Sequence, residues 1–251
     1  METFLIVCVM SKRVQIAFAI VSVYIFWGST FVAIRYVAQL LHPAFISGLR
    51  YVIASAISMT YLLLRRRSIR LSELNWWQVA LLGFVMFTIN TTLVAYGSKV
   101  LSAGLIALFI SSIPLFIAML EVALPGGTSM NKTGWAGTFT GFAGLAILTS
   151  RSIRGQLLTS ATAVACVALI LAAAAWAVGS MLSQRMEIKA SPLVSSIWQM
   201  LIAGSINLLI GLMSGGVRTS NWTRGAWLAT IYLAVFGSLA GYTSYMFLLR
   251  T

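Results

Sequence analysis

The chain has no aspartate, four glutamates, one histidine and two cysteines among its 251 residues. Paired acids, imidazoles and thiolates are the raw material of triads, metal sites and acid–base pairs. Here Glu2, Glu73, Glu121 and Glu187 are scattered, and His42 stands alone at the edge of an apolar stretch. No catalytic residue, metal site or cofactor is expected, and an intramembrane enzyme is set aside. Cys8 and Cys166 lack metal-type spacing and read as small apolar filler. Charge itself is scarce: 8% of residues carry it, against about 25% in an ordinary soluble protein. Seventeen basic and four acidic side chains cannot cover a 27.2 kDa globule in water. A soluble catalytic or nucleotide-binding domain is therefore excluded.

What fills the chain instead is apolar: 60% of residues, with a mean hydropathy of +0.95. Eight charge-poor stretches can be read, from Val14 to Tyr36, Pro43 to Leu64, Trp77 to Ser98, Ala103 to Leu124, Gly134 to Thr149, Val164 to Gln184, Pro192 to Met213 and Ala226 to Leu249. A helix crosses about 30 Å of hydrocarbon with roughly 20 residues, and the fifth stretch is the shortest of the set. The expected fold class is an all-α polytopic membrane helix bundle embedded in a lipid bilayer, with short loops and antiparallel neighbours. Lys12 and Arg13 follow, rather than precede, the short apolar run before them, the wrong order for a signal peptide. Residues 1–9 are read as an extension, with Met10 as the natural start.

The net charge of +13 admits two explanations. Nucleic-acid binding needs a basic stripe, whereas here Lys and Arg fall in gaps between apolar stretches, as the positive-inside bias of membrane proteins requires. No nucleic-acid partner is expected. With the N-terminus inside, ten basic residues gather on the inner face and six on the outer, the cluster from Arg65 to Arg70 carrying most of the bias. Trp76, Trp77, Trp135, Trp222 and Trp227 stand at helix starts, where the interfacial aromatic belt lies. This places the chain in the cytoplasmic (inner) membrane with the N-terminus inside; a homodimer is left open.

An internal repeat organises the stretches. Trp27 and Pro43 are 16 residues apart, as are Trp176 and Pro192, and the shift of 149 also pairs Ser47 with Ser196, Ala54 with Ala203, and Arg50 with Gln199. Farther on, 95–99 parallels 246–250. Five helices separate the copies, so the second enters the membrane upside down, the pattern of inverted-repeat secondary transporters. The expected units are a first repeat over 12–150, with five helices, and a second over 160–251, with three. Eight helices of an expected ten are present on this reading.

The run from Trp27 to Arg35 (WGSTFVAIR), followed by Pro43 and Gly48-Leu49-Arg50-Tyr51, resembles the first two helices of EamA-type transporters of the drug/metabolite transporter superfamily. Ser102-Ala103-Gly104 with Ile113-Pro114-Leu115-Phe116, Gly134-Trp135-Ala136-Gly137, Trp176-Ala177-Val178-Gly179-Ser180 and Phe236-Gly237-Ser238 resemble later helices of the same family, in order. The resemblance implies two inverted five-helix repeats around a central cavity, and export of small metabolites. It also implies a ninth and tenth helix beyond this sequence, so the alternative is a truncated, non-transporting membrane protein or scaffold.

Depth along each helix selects candidate cavity residues. At 1.5 Å per residue, Trp27 and Trp176 each lie roughly 20 Å from the face where their helix begins, near the midplane. Gly28 and Gly179 leave room beside the rings, while Ser29, Thr30 and Ser180 offer hydroxyls. Arg50 lies about 10 Å into the second helix, where a charge is costly and marks function by default. It is expected to meet a substrate carboxylate, to bind backbone carbonyls or to snorkel outward. Asn90 and Tyr242 are polar at mid-depth; Ser111 and Ser112, beside Pro114, could loosen the fourth helix or bond back to it. These twelve are the expected substrate-binding residues. Gly126–Thr133 (GGTSMNKT) imitates a phosphate loop, but Asn131 replaces the needed glycine and no strand precedes it. The expected function is secondary transport, exporting amino-acid-like or aromatic metabolites by alternating access.

Overall fold

A computed structural model describes residues 11–66, 71–127, 130–154, 159–215 and 222–249. Cys8, the start at Met10 and the part of the basic cluster from 67 to 70 lie outside the described residues, as do Arg218 and Arg250. Among these residues eight long helical segments follow one another: α1 (Lys12–Ala38), α2 (Pro43–Leu64), α3 (Trp76–Gly97), α4 (Ala103–Ala123), α5 (Lys132–Arg154), α6 (Ser160–Arg185), α7 (Pro192–Met213) and α8 (residues 224–249). The protein is an all-α polytopic membrane bundle.

Local sequence explains where these helices start. Asn75, Ser102, Thr159, Ser191 and Thr223 each accept a hydrogen bond, at 3.2–3.4 Å, from the backbone N–H three residues on. Such caps satisfy one of the N–H groups that a helix start leaves open. Pro43 and Pro192 occupy the first positions of α2 and α7, where the missing N–H does no harm.

Length and composition qualify seven of these segments as membrane spans among the described residues, one fewer than the eight read from sequence. The exception is α5. It runs for 23 residues, long enough to cross at about 1.5 Å per residue, but Thr133, Thr138, Thr140 and four glycines dilute its apolar content. It packs against both halves of α4, with Phe142 against Phe116 at 5.8 Å between ring centroids. Of its G-x-x-x-G pair, Gly141 seats on Leu115, whereas Gly137 faces open space.

Three spans are irregular at mid-depth. Residues Gly83–Ile89 of α3 and Leu233–Ala240 of α8 are π-helical, so their backbone bonds reach five residues back and release carbonyls for other donors. An offset of 151 residues, the one relating 95–99 to 246–250, carries the first π segment onto 234–240, within the second. Helix α4 is interrupted at Ser111 and Ser112, between Ala103–Ile110 and Ile113–Ala123. Pro114 accounts for this break, because it has no N–H to give the preceding turn.

Helix α2 packs along its length on α7, and over the stretch from Phe45 to Val52 glycines bring the two backbones close together. The Gly48 Cα faces the backbone of Asn207 and Leu208, Gly204 faces Val52 N and Gly48 O, and Gly211 faces Phe45. Small residues permit this approach where burial from water offers no driving force. At one end of the bundle Ile34, Val37, Leu41, Val94, Leu105, Ile106 and Leu169 form a closed apolar cluster. At the other end Leu62, Leu74, Val79, Val194 and Ile197 form a second. Tyr24, Ile25, Val32, Leu209, Leu212 and Leu228 point outward, an apolar exterior suited to lipid and not to water.

Candidate functional site

Between the two end clusters lies a cavity enclosing about 600 Å³ of atom-free space, part of it open to the outside. Helices α1, α2, α3, α4, α6 and α8 all contribute to its wall. Ile110 and Ile113, the residues flanking the break in α4, both reach it.

Among the described residues Arg50 is the only lysine, arginine or acid in the wall, and it is 7% exposed. Its Nε donates to Ser238 Oγ at 2.6 Å, and Ser238 in turn donates to the Leu233 carbonyl five residues back, at 3.2 Å. The π segment of α8 thus presents the hydroxyl that anchors the guanidinium. Gly237 makes the approach sterically feasible: a Cβ there would stand 3.1 Å from Arg50 Nη2 and 2.6 Å from Thr30 Cγ2. Of the three fates expected for Arg50, snorkelling to the surface is thereby excluded. Glu121 does not reach it; that carboxylate lies 3.4 Å from Arg185 Nη2, in an ion pair joining the ends of α4 and α6.

Aromatic rings make up much of the rest of the wall. Trp27 and Trp176 meet edge to face at 5.2 Å, and Tyr245 touches both, at 5.1 and 5.6 Å. Trp27 is fixed by its indole N–H, which donates to the Gly237 carbonyl at 3.1 Å, a carbonyl within the π segment. Trp176 is 8% exposed, and among the described residues its indole nitrogen has no hydrogen-bond partner of normal geometry. Phe87 stacks edge-on against Tyr51 and Tyr242 at 4.8 and 4.7 Å. Polar members of the wall are held by the scaffold: Asn90 Nδ2 donates to the Ala172 carbonyl at 2.8 Å, and the Tyr51 and Thr91 hydroxyls bond each other. The Tyr242 hydroxyl donates to Gln199 Oε1 at 2.8 Å.

Six of the twelve sequence-selected residues therefore line one cavity: Trp27, Thr30, Arg50, Asn90, Trp176 and Tyr242. The other six stand elsewhere. Ser29 turns away, bonding Tyr232 at 2.5 Å and the Ile25 carbonyl at 2.6 Å, and Gly28 faces open space. Gly179 seats against the Met86 side chain, and Ser180 bonds the Tyr245 hydroxyl at 2.6 Å behind the ring cluster. Ser111 is exposed and bonds the Leu108 carbonyl at 2.7 Å; Ser112 bonds that of Phe109 at 2.6 Å. Adjacent positions on a helix differ by 100°, so flanking residues cannot all face one side.

Sequence reasoning missed Tyr51, Phe87, Thr91 and Ser238. Tyr51 and Ser238 lie inside motifs already singled out, but apolar Phe87 carried no signal in so apolar a chain. No group of three His, Cys, Asp or Glu side chains that could hold a metal occurs among the described residues. His42, at the start of α2, lies outside the cavity wall; burial and the nearby Lys99 charge hold its pKa below the ordinary 6.5. Cys166 is a free thiol on α6.

Membrane-spanning helices around a mid-depth cavity, with broken or π-helical segments at its wall, have the architecture of a membrane transport protein. The chain belongs to the EamA-like transporter family, which it matches over residues 14–150 and 163–251. It is 27% identical over 234 residues to the uncharacterized inner membrane transporter YedA of Escherichia coli, covering 92% of this chain and 73% of that one. It is 26% identical to a WAT1-related chloroplastic protein of Arabidopsis thaliana, over 91% of this chain and 56% of that one. A solved protein structure shares the fold with a TM-score of 0.71 at 18% identity, covering 96% of this chain and 80% of its own. The protein is thus a multi-pass membrane transporter of the drug/metabolite type.

Proposed function

We propose that the protein exports small metabolites, amino-acid-like or aromatic, across the cytoplasmic membrane by alternating access at this cavity. The observation that carries the reading is the meeting of Trp27 and Trp176. These residues, 149 positions apart, stand at the same place in the two proposed inverted repeats and contact each other at 5.2 Å beside a buried arginine. In inverted-repeat transporters the site lies near the midplane, at the repeat interface, among discontinuous helices. The interrupted α4 and the π segments of α3 and α8 supply discontinuities of that kind. Rocking one repeat against the other exposes the cavity first to one face and then to the other. The aromatic wall suits flat apolar bodies, and the basic residues inside favour an N-in orientation.

Flux through proteoliposomes tests the reading. Vesicles loaded with a metabolite extract should release a subset of solutes faster with the protein than without it, and Trp27→Ala should slow that release. Equal release from protein-containing and empty vesicles would leave the alternative, a membrane scaffold without transport.

A further inference from the structure

Among the described residues the cavity wall holds one positive charge and no negative one. Arg50 uses Nε on Ser238, and its two terminal nitrogens meet no acceptor among the described residues. Its neighbour's ring, Tyr51, lies 5.1 Å from the guanidinium carbon and supplies a weak cation–π contact only. A buried cation normally has a partner, because the charge otherwise bears most of its desolvation unrelieved. The position related to Arg50 by the 149-residue shift is Gln199, which is 0% exposed, lies outside the cavity wall and is bonded by Tyr242 and Ser195. The charge is thus present once, on one side of the site. Apolar rings from Phe87, Trp27 and Trp176 stand around the same space.

We infer that Arg50 is an anion receptor and that the transported solute is a monocarboxylate with an apolar or aromatic body. The inference deepens the transport reading and rests on it. A guanidinium held through Nε still presents its two terminal nitrogens, which match a carboxylate's two oxygens. A second carboxylate would find no cation among the wall residues. A neutral amide of the same shape offers one acceptor and no charge, so the site discriminates between the two.

Binding is read by tryptophan fluorescence of the full chain in detergent, since Trp27 and Trp176 line the cavity. The probes are 3-phenylpropionate, its amide, and inorganic phosphate. The wild type should bind the carboxylate about ten- to a hundredfold more tightly than the amide. Arg50→Gln, which copies the residue of the other repeat, should abolish that preference by weakening the acid while leaving the amide unchanged. Arg50→Lys, which keeps the charge but not the fork, should retain part of the preference. Melting temperatures of both variants verify that they fold, and Ser238→Ala gives a second route: it releases Nε and should weaken carboxylate binding without removing it. Equal affinity for acid and amide, tighter binding of phosphate, no carboxylate binding at high millimolar concentration, or an unchanged preference in Arg50→Gln would each overturn the inference. The proteoliposome flux separates the two levels. Release of neutral or cationic solutes alone keeps transport and removes the anion receptor, while neither release nor binding removes both.

Discussion

Replacing Gly48 by alanine puts a methyl group into the backbone of α7. The new Cβ would lie 2.9 Å from the Asn207 carbonyl carbon and 2.7 Å from Leu208 Cγ, and closer still to Leu208 N. Carbon atoms in contact rest at about 3.5–4.0 Å, so the two helices must part by at least about 0.6–1.1 Å at this level. Leucine can rotate away, but the Asn207 and Leu208 backbone atoms cannot. Overpacking of this kind costs about 1–3 kcal/mol, and the rigid partner argues for the upper end. Alanine's better helix propensity returns about 1 kcal/mol, for a net loss of about 2 kcal/mol. Gly28→Ala is the control: nothing lies within 4 Å of its Cβ, so it keeps the propensity gain and loses nothing. Equilibrium unfolding in mixed micelles should separate the two variants by about 3 kcal/mol. Equal stability of Gly48→Ala and Gly28→Ala would refute the backbone-to-backbone packing of α2 on α7.

Other consequences are smaller and equally specific. A double-mutant cycle of Trp27→Leu and Trp176→Leu, read by unfolding, should give a coupling of about 0.5–1.5 kcal/mol for the edge-to-face pair; additive losses would show that the rings do not interact. Glu121→Gln breaks the ion pair with Arg185, whose side chain is about a third exposed. Arg185 keeps its bond to the Pro125 carbonyl at 2.8 Å, so the loss should stay below about 1 kcal/mol, and a larger drop in melting temperature contradicts this. The folded state binds a proton at His42 less readily than the unfolded state, whose value is near 6.5. Its contribution is therefore complete above pH 6.5 and falls as the pH drops through the lowered folded value. The melting temperature of His42→Gln should accordingly fall less on acidification than that of the wild type.

The helices were legible because hydrocarbon sets a length and excludes charge, and both constraints are visible residue by residue. The weakest stretch by sequence, the fifth, is also the helix that falls short as a span, for the same reason: threonine and glycine replace leucine and valine. The repeat marked Trp27 and Trp176 as mid-depth candidates, but their contact was not read from the sequence, because a 149-residue spacing says nothing of which way either ring points. Arg50 was legible because a mid-helix charge in lipid demands a partner. Its partner was not, for Ser238 reaches it from a π segment. An α-helix admits an extra residue with no particular side chain to mark it, so the two π segments leave no sequence pattern. The serines beside Pro114 illustrate the converse: the break they signalled is present, but their hydroxyls satisfy their own helix and not the cavity.

The most direct test of the central claim, that this cavity is the transport site and opens to both faces in turn, uses the chain's shortage of thiols. With Cys8→Ser and Cys166→Ala as background, Thr30→Cys introduces one thiol on the cavity wall at a position that bonds only its own helix, to the Trp27 carbonyl at 2.7 Å. A membrane-impermeant maleimide should label this thiol when added to either side of oriented vesicles, and 3-phenylpropionate should slow labelling from both. Labelling from one face alone, whatever solute is present, would contradict the account.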